Sequence, residues 1–407
     1  MSETADAGDP MSETPPQPRA ADVFLAFLVQ GLTAFGGPVA HIGYFRREFV
    51  ERRAWLSEAA FADLLALAQF LPGPASSQLG MAIGLRRAGY AGLIAAWLGF
   101  TLPAGAAMIA MAYLAPRLTG AWGDGVLHGL KVAAAAVVLQ ALVAMARTLA
   151  VGPIRAGMAI GAGLGLVLAS GHGSLGVAQI LTLATGALFG MAFLREPGEL
   201  IPDEAPAGST TVSLLALTAF ALLLGVLPFL AAWSQDPSLS LASVFYRTGA
   251  LVFGGGHVVL PLLQNEVVAR GWVGQNEFLA GYGAIQALPG PLFAFAGFVG
   301  TAAGGWPAGL IALVAIFLPS LLLVVGVLPF WDRLKLQPGA RAAVAGVNAV
   351  VVGVLGAALW NPMLKQTVQR PTDWALLAAA YVFLAVARLP PWMVVVGFAV
   401  AAGAFLR

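Results

Sequence analysis

Gln69-Phe70-Leu71-Pro72-Gly73-Pro74 returns later in the chain as Gln286-Ala287-Leu288-Pro289-Gly290-Pro291, and this doubled stretch decides how the protein is organised. Pro-Gly-Pro cannot lie within one continuous helix, because each proline removes a backbone donor and clashes with the preceding turn. Proline is accepted in a helix's first turn, so the motif ends one half-helix and begins another. Both copies interrupt long apolar stretches, at 58–85 and 275–303.

The match extends outward from the motif. At an offset of 218, Gly31, Phe35, Gly36, Gly37, Glu48, Val50 and Arg52 pair with Gly249, Phe253, Gly254, Gly255, Glu266, Val268 and Arg270. At 217, Trp55, Phe61 and Gln69 pair with Trp272, Phe278 and Gln286; after one more slip, Leu102-Pro103 pairs with Leu318-Pro319. Shared Leu and Ala could arise by chance between apolar segments, but collinear Phe-Gly-Gly, Glu, Trp and Gln-x-Leu-Pro-Gly-Pro could not. The chain is an internal duplication. Its expected organisation is a tail over 1–20, a first repeat over 21–194, a polar link and linker helix over 195–240, and a second repeat over 241–407.

Composition supplies the solvent. Hydrophobic residues make up 59% of the 407 and charged residues only 10%, against roughly a quarter charged in soluble domains. A lipid bilayer suits such a chain. Apolar runs near the ~20 residues a span needs lie at 23–43, 89–113, 125–145, 154–169, 175–194, 212–233, 241–263, 306–330, 340–360, 374–387 and 392–406. The fold class expected is therefore an all-α polytopic membrane protein of two homologous halves, with broken helices and about 10–13 transmembrane segments. The tail MSETADAGDPMSETPPQPRA is polar and has no apolar core, so it reads as disordered rather than as a signal peptide.

Charge relates the two halves. Arg46, Arg47, Arg52 and Arg53 follow the first segment, whereas only Arg270 follows its counterpart; Arg86 and Arg87 have no basic equivalent near Ala303. The next loop reverses the bias, with Arg117 alone against Arg333, Lys335 and Arg341. Since Lys and Arg favour the cytoplasmic side, equivalent loops face opposite sides, as in an inverted-topology repeat. Counting leaves a conflict. If the Pro-Gly-Pro segments cross, each half has six spans and the linker helix inverts the second half. If they are re-entrant, the loop charges fit better, but the linker leaves the halves parallel. Inversion is the expectation; absolute orientation stays open.

The candidate chemistry lies at the helix breaks. Phe35-Gly36-Gly37-Pro38, echoed by Phe253-Gly254-Gly255-Gly256, should break its helix in mid-membrane, where free backbone groups belong beside a polar cavity or packed protein. Ala75-Ser76-Ser77-Gln78 follows the first Pro-Gly-Pro and would offer free N–H groups, a positive dipole end and two hydroxyls, an anion site. Leu292-Phe293-Ala294-Phe295 follows the second copy and is apolar. Intramembrane ionisable groups are few, and each is a candidate. Lys131, opposite Asn348 in the other repeat, either attracts a dianion or snorkels to the headgroups. His41, His257 and Asp63 are candidates for proton or charge coupling, against the plainer reading of structural hydrogen bonding. Glu48 and Glu266 read as ion-pair partners of the nearby arginines. The absence of cysteine, of His-Glu-x-x-His and of a Walker-type loop excludes thiolate chemistry, zincin-type hydrolysis and P-loop ATP use. No enzyme chemistry, cofactor, metal site or nucleic-acid surface is expected; the expected partners are a small anion, the bilayer and, left open, a second copy.

Taken together, Phe-Gly-Gly-Pro, the Glu-to-Trp spacing after it, and Gln-Phe-Leu-Pro-Gly-Pro resemble the chromate ion transporter family. The second-half motifs resemble the second domain of its long, two-domain members. The resemblance covers about residues 22–400. It implies a bacterial inner-membrane protein that expels chromate, a sulfate-like tetrahedral dianion. It also implies substrate-site roles for Gly36, Gly37, Pro38, Gln69, Pro72, Gly73, Pro74, Lys131, Gly254, Gly255, Gln286, Pro289, Gly290 and Pro291, to which the helix start adds Ser76, Ser77 and Gln78.

Overall fold

The computed structural model describes residues 19–169, 175–194 and 209–405. Most of the expected tail (1–20) and of the polar link (195–211) lies outside the described residues. The first half contains α1 (Ala20–Thr33), α2 (Gly37–Phe45, continued as a π-helix to Arg52), α3 (Glu58–Phe70), α4 (Ala75–Leu114), α5 (Gly120–Leu149), α6 (Pro153–Ala169) and α7 (Leu175–Phe193). A linker helix, α8 (Thr210–Ser234), leads to the second half. There α9 (Pro237–Leu251), α10 (Val259–Ala269), α11 (Gln275–Gln286), α12 (Phe295–Val327), the short α13 (Trp331–Leu334), α14 (Pro338–Ala358), the short α15 (Lys365–Thr367), α16 (Pro371–Ala385) and α17 (Pro391–Phe405) repeat the pattern.

Six helices are long and apolar enough to cross a bilayer by themselves: Ala75–Arg117, Gly120–Leu149, Gly176–Phe193, Thr210–Ser234, Leu292–Leu334 and Pro338–Thr367. Four shorter apolar helices, Ala20–Thr33, Pro153–Ala169, Pro371–Ala385 and Pro391–Phe405, accompany them. The two longest helices are each bent back sharply. α4 leaves helical geometry at Ala88 and Gly89, and α12 at Gly304 and Gly305. The glycines have φ of +61° and +79°, where a Cβ would be strained. At the first bend Gly84 lies against the backbone of Gly92, and at the second Gly300 packs on Gly309.

The first arm of α4 therefore returns towards the side from which α3 came. Arg87, at its end, stacks on the Trp55 ring at 5.5 Å and donates to the Trp55 carbonyl, just before α3 begins. Thus α3 and the first arm of α4 form a hairpin with Pro72-Gly73-Pro74 at its tip. In the second half, Phe295 packs on Phe278 and Tyr282 of α11, closing the same hairpin around Pro289-Gly290-Pro291. The Phe-Gly-Gly segments fold back too. Phe27 of α1 stacks on Phe49 at 4.6 Å and meets Phe45 edge-on, so α2 runs back along α1. The expectation of one continuous span over 23–43 is corrected here: Gly36 and Gly37, at φ +100° and +76°, turn the chain around.

The halves are inverted. The second arms of α4 and α12 pack antiparallel, with Trp97 near Phe317, Gly105 against Leu313, Ile109 against Gly309, and the Trp306 N–H donating to Tyr113 Oη. Gly305, the counterpart of Gly89, thus lies beside Tyr113, about 36 Å of helix away from Gly89. Re-entry of both broken segments also closes the crossing count. The first half then makes four passes, with the second arm of α4 and with α5, α6 and α7, and the second half four, with the second arm of α12 and with α14, α16 and α17; α8 adds the crossing that inverts the second half. α8 leans on the end of α12 through Ser213 Oγ to the Val325 carbonyl (2.8 Å) and is largely exposed to lipid.

Inversion sorts the cations. Arg46, Arg47, Arg52, Arg53, Arg86 and Arg87 share one face with Arg333, Lys335 and Arg341, while Arg117, Arg270, Lys365 and Arg370 stand on the other. We call these the basic and the sparse face. The last helices of each half are exchanged: α16 and α17 pack on α5, with Gly125 and Gly129 against α17, and α6 and α7 pack on α14 through Gly353 and Gly346.

Candidate functional site

The four hairpin tips meet in the interior. The Gly73 N–H donates to the Val252 carbonyl at 2.7 Å, and the Gly290 N–H donates to the Ala34 carbonyl at 3.0 Å. Each Pro-Gly-Pro tip is thereby held by the Phe-Gly-Gly tip of the opposite half. Pro38 lies beside Gly256, bringing the two Phe-Gly-Gly tips together. The glycines are required at this junction. Gly73 (φ +130°) abuts Ser320 Oγ and the Gln78 amide, and Gly290 (φ +96°) abuts Ala104 and the Phe100 carbonyl.

Most residues expected at the site converge on this quartet of tips. Gly36, Gly37, Pro38, Pro72, Gly73, Pro74, Gly254, Gly255, Pro289, Gly290 and Pro291 form the tips themselves, and Gln69 and Gln286 lie in the last turns of α3 and α11. Ser76, Ser77 and Gln78 begin α4 and are buried, at 2%, 3% and 0% exposure, whereas Phe35, Gly36, Gly37 and Pro38 of the neighbouring tip are half-buried. Gln78 Nε2 donates to the Pro72 carbonyl (2.7 Å) and to Ser320 Oγ (3.3 Å), which fixes the turn. Ser77 Oγ has no hydrogen-bond partner although it is buried, and Gln286 Nε2 is likewise unpartnered. A buried polar atom without a partner costs stability, and Ser77 Oγ is such an atom at the start of a helix.

His41 is buried and His257 half-buried near the tips. His41 lies between the Ala34 carbonyl (3.1 Å) and Ser76 Oγ (3.3 Å), and His257 meets Tyr282 Oη at 2.9 Å. Lys131 and Asp63 do not join them. Lys131 Nζ donates to Asn276 Oδ1 (3.1 Å) at the start of α11, about 15 Å along that helix from Gln286. It lines a cavity of about 610 Å³ with Asp124, His128, Glu277, Arg370 and Asp373 on the sparse face. Asp63 accepts from Trp331 Nε1 (2.9 Å) and pairs with Lys335 (3.3 Å), a tie between the halves on the basic face.

Glu48 pairs with Arg52 and Arg53, and Glu266 with Arg247 and Arg270. Burial pushes the Glu48 carboxyl up, but hydrogen bonds from Arg52 and Arg53 outweigh it and hold the group below the usual carboxylate range. Among the described residues no three His, Asp or Glu side chains gather to hold a metal ion.

Sequence reasoning missed Ser320, Tyr282 and the His128–Asp373 pair. Ser320 follows the matched Leu318-Pro319 where the first half has Ala104, and that departure within an apolar run was the available signal. His128 and Asp373 lie 245 positions apart in exchanged helices, and no spacing rule joins them.

A profile of the chromate transporter family matches residues 21–191 and 239–404. A chromate transport protein of Pseudomonas aeruginosa is 33% identical, over 86% of this chain and 83% of its own length. One of Cupriavidus metallidurans is 28% identical, over 95% and 93%. A probable chromate transport protein of Synechococcus elongatus is 27% identical, over 82% of each. No solved structure matches.

Proposed function

The chain belongs to the chromate transporter family, and from that premise we propose that it exports chromate across the bacterial inner membrane as a secondary transporter. The relatives named for chromate transport supply the substrate. The quartet of hairpin tips is the site, and the inverted halves expose it alternately to the two faces. The observation that carries this reading is the start of α4. There the first-turn N–H groups, the positive end of the helix dipole and the unpartnered Ser77 hydroxyl converge in a buried place. An oxyanion bound there would satisfy all three.

Direction follows from charge. The basic face is cytoplasmic by the positive-inside rule. An inside-negative potential drives anions outward by about 2.3 kcal/mol per charge per 100 mV, so a dianion can be expelled without ATP. Proteoliposomes with the potential and pH gradient set independently test the proposal. Saturable chromate flux that responds to the potential is expected; flux that never saturates would mark a passive channel and overturn it. A second reading, a carrier of sulfate or another small oxyanion, rests on the same helix start, which recognises tetrahedral geometry and charge rather than the central atom. Competition between sulfate and chromate separates the two.

A further inference from the structure

The 610 Å³ cavity on the sparse face reaches a histidine–carboxylate hydrogen bond that the oxyanion site does not use. Asp373 is 3% exposed; its Oδ2 accepts the Gln369 and Arg370 N–H groups, and its Oδ1 lies 2.9 Å from His128 Nε2. The carboxylate only accepts, so Nε2 carries the hydrogen and donates it. His128 Nδ1 is then the lone pair left to take a proton, on a side chain 26% exposed. We propose that His128 is the proton-binding site that couples transport to the proton gradient, loaded through this cavity from the sparse face. This rests on the transport reading above.

Three observations carry it. The first is electrostatic. The charged groups facing the pair are Asp124 and Lys131 from α5, Glu277 from α11, and Arg370 before α16; the rest of the lining is uncharged. Three carboxylates face two fixed cations, so a proton on His128 balances the cavity. The second is mechanical. His128 lies on α5 of the first half and Asp373 on α16 of the second, so the bond that strengthens on protonation joins the two halves. α5 also packs on α11 through Leu130 and Gly283, and α11 carries the tip whose Gly290 bonds Ala34. The third is the second half's lack of an equivalent: Ala345 stands opposite His128 at the repeat offset, so only one face has this site. The other three coupling candidates are spoken for. His41 and His257 are bonded inside the tip quartet, and Asp63 is tied to Lys335.

The exchange is simple in its balance. One proton leaves the solution on the sparse face and binds Nδ1, giving an imidazolium; release to the cytoplasm restores the neutral ring as chromate moves the other way. The test uses full-length protein in proteoliposomes with a trapped pH indicator, chromate as the probe and the potential clamped. Wild-type protein should move protons opposite to chromate, and His128→Gln should lower the ratio of protons to chromate at least tenfold. An unchanged ratio overturns the proposal, as does wild-type chromate flux without proton movement. Should His128→Gln fail to fold, Asp373→Asn serves. Loss of the carboxylate removes the charge partner of the protonated ring across the halves, so the ratio of protons to chromate should fall; an unchanged ratio overturns the site. Wild-type protein that moves no chromate under any gradient removes the transport reading itself, and does so before any variant is made.

Discussion

The two Pro-Gly-Pro tips share a glycine bond to the opposite half and differ in the side chains around it. After the first, Ala75-Ser76-Ser77-Gln78 begins an α-helix, Ser320 faces Gly73, and His41 meets Ser76. After the second, Leu292–Ala294 form a 3₁₀ turn, Ala104 faces Gly290, and His257 meets Tyr282 instead. Packing is common to both halves and chemistry belongs to one. The duplication has kept the hinge twice and has serines at the helix start of one copy only.

The comparison predicts where paired mutations should agree and where they should part. The largest effects are symmetric. A Cβ added at Gly31 would fall 2.7 and 2.8 Å from the Gly99 and Phe100 carbonyl oxygens, and one added at its counterpart Gly249 would collide with the Ile316 carbonyl. Gly31→Val and Gly249→Val should each cost on the order of 3 kcal/mol by overpacking, seen as equal losses of thermal stability in detergent. If only one suffers, the halves do not share a scaffold.

The next effect is asymmetric. Each hydroxyl donated to a charged ligand contributes about 1.5–3 kcal/mol, so the double variant Ser76→Ala, Ser77→Ala should weaken chromate affinity by a factor of 10 or more in inverted vesicles. Leu292→Ala should change it little. Equal losses at the two tips would place the oxyanion between them rather than at the first. Smaller again is Ser320→Ala, which removes one neutral hydrogen bond to Gln78 and should cost about 1 kcal/mol, a fall of roughly fivefold in affinity.

The smallest effect concerns pH. The Glu48 carboxyl is held low in the folded protein, so the unfolded chain binds its proton more readily. That pair's contribution is present above the ordinary carboxylate range and is lost as pH falls through the lowered value. Glu48→Gln should flatten the acid side of the stability curve, measured by thermal unfolding across acid buffers. An unchanged acid limb would show that Arg52 and Arg53 serve topology alone.

The duplication, the breaks and the inversion were legible because glycine and proline leave marks that no apolar filler imitates. Charge bias announced inversion even while the count of crossings opposed it. The conflict lay in the stretch 23–43, whose length suits a span; only Phe27 against Phe49 shows that it folds back. Of the site, the tip residues could be read directly. Lys131 could not be placed, since a lysine near one end of an apolar run looks the same whether it faces a substrate or a vestibule. Ser320 and Asp373 act through contacts between the halves, with Gln78 and His128, and such contacts have no signature along the chain.

Consider finally what the crossed bonds ask of a ribosome. The Gly73 N–H needs the Val252 carbonyl, and the Ala34 carbonyl receives its donor from Gly290, which is synthesised 256 residues later. The first half must therefore wait in the bilayer with its two loops unlatched until most of the second has been translated. A gene cut within codons 195–208 should still yield working protein when both pieces are made together, and neither piece should survive proteolysis when made alone.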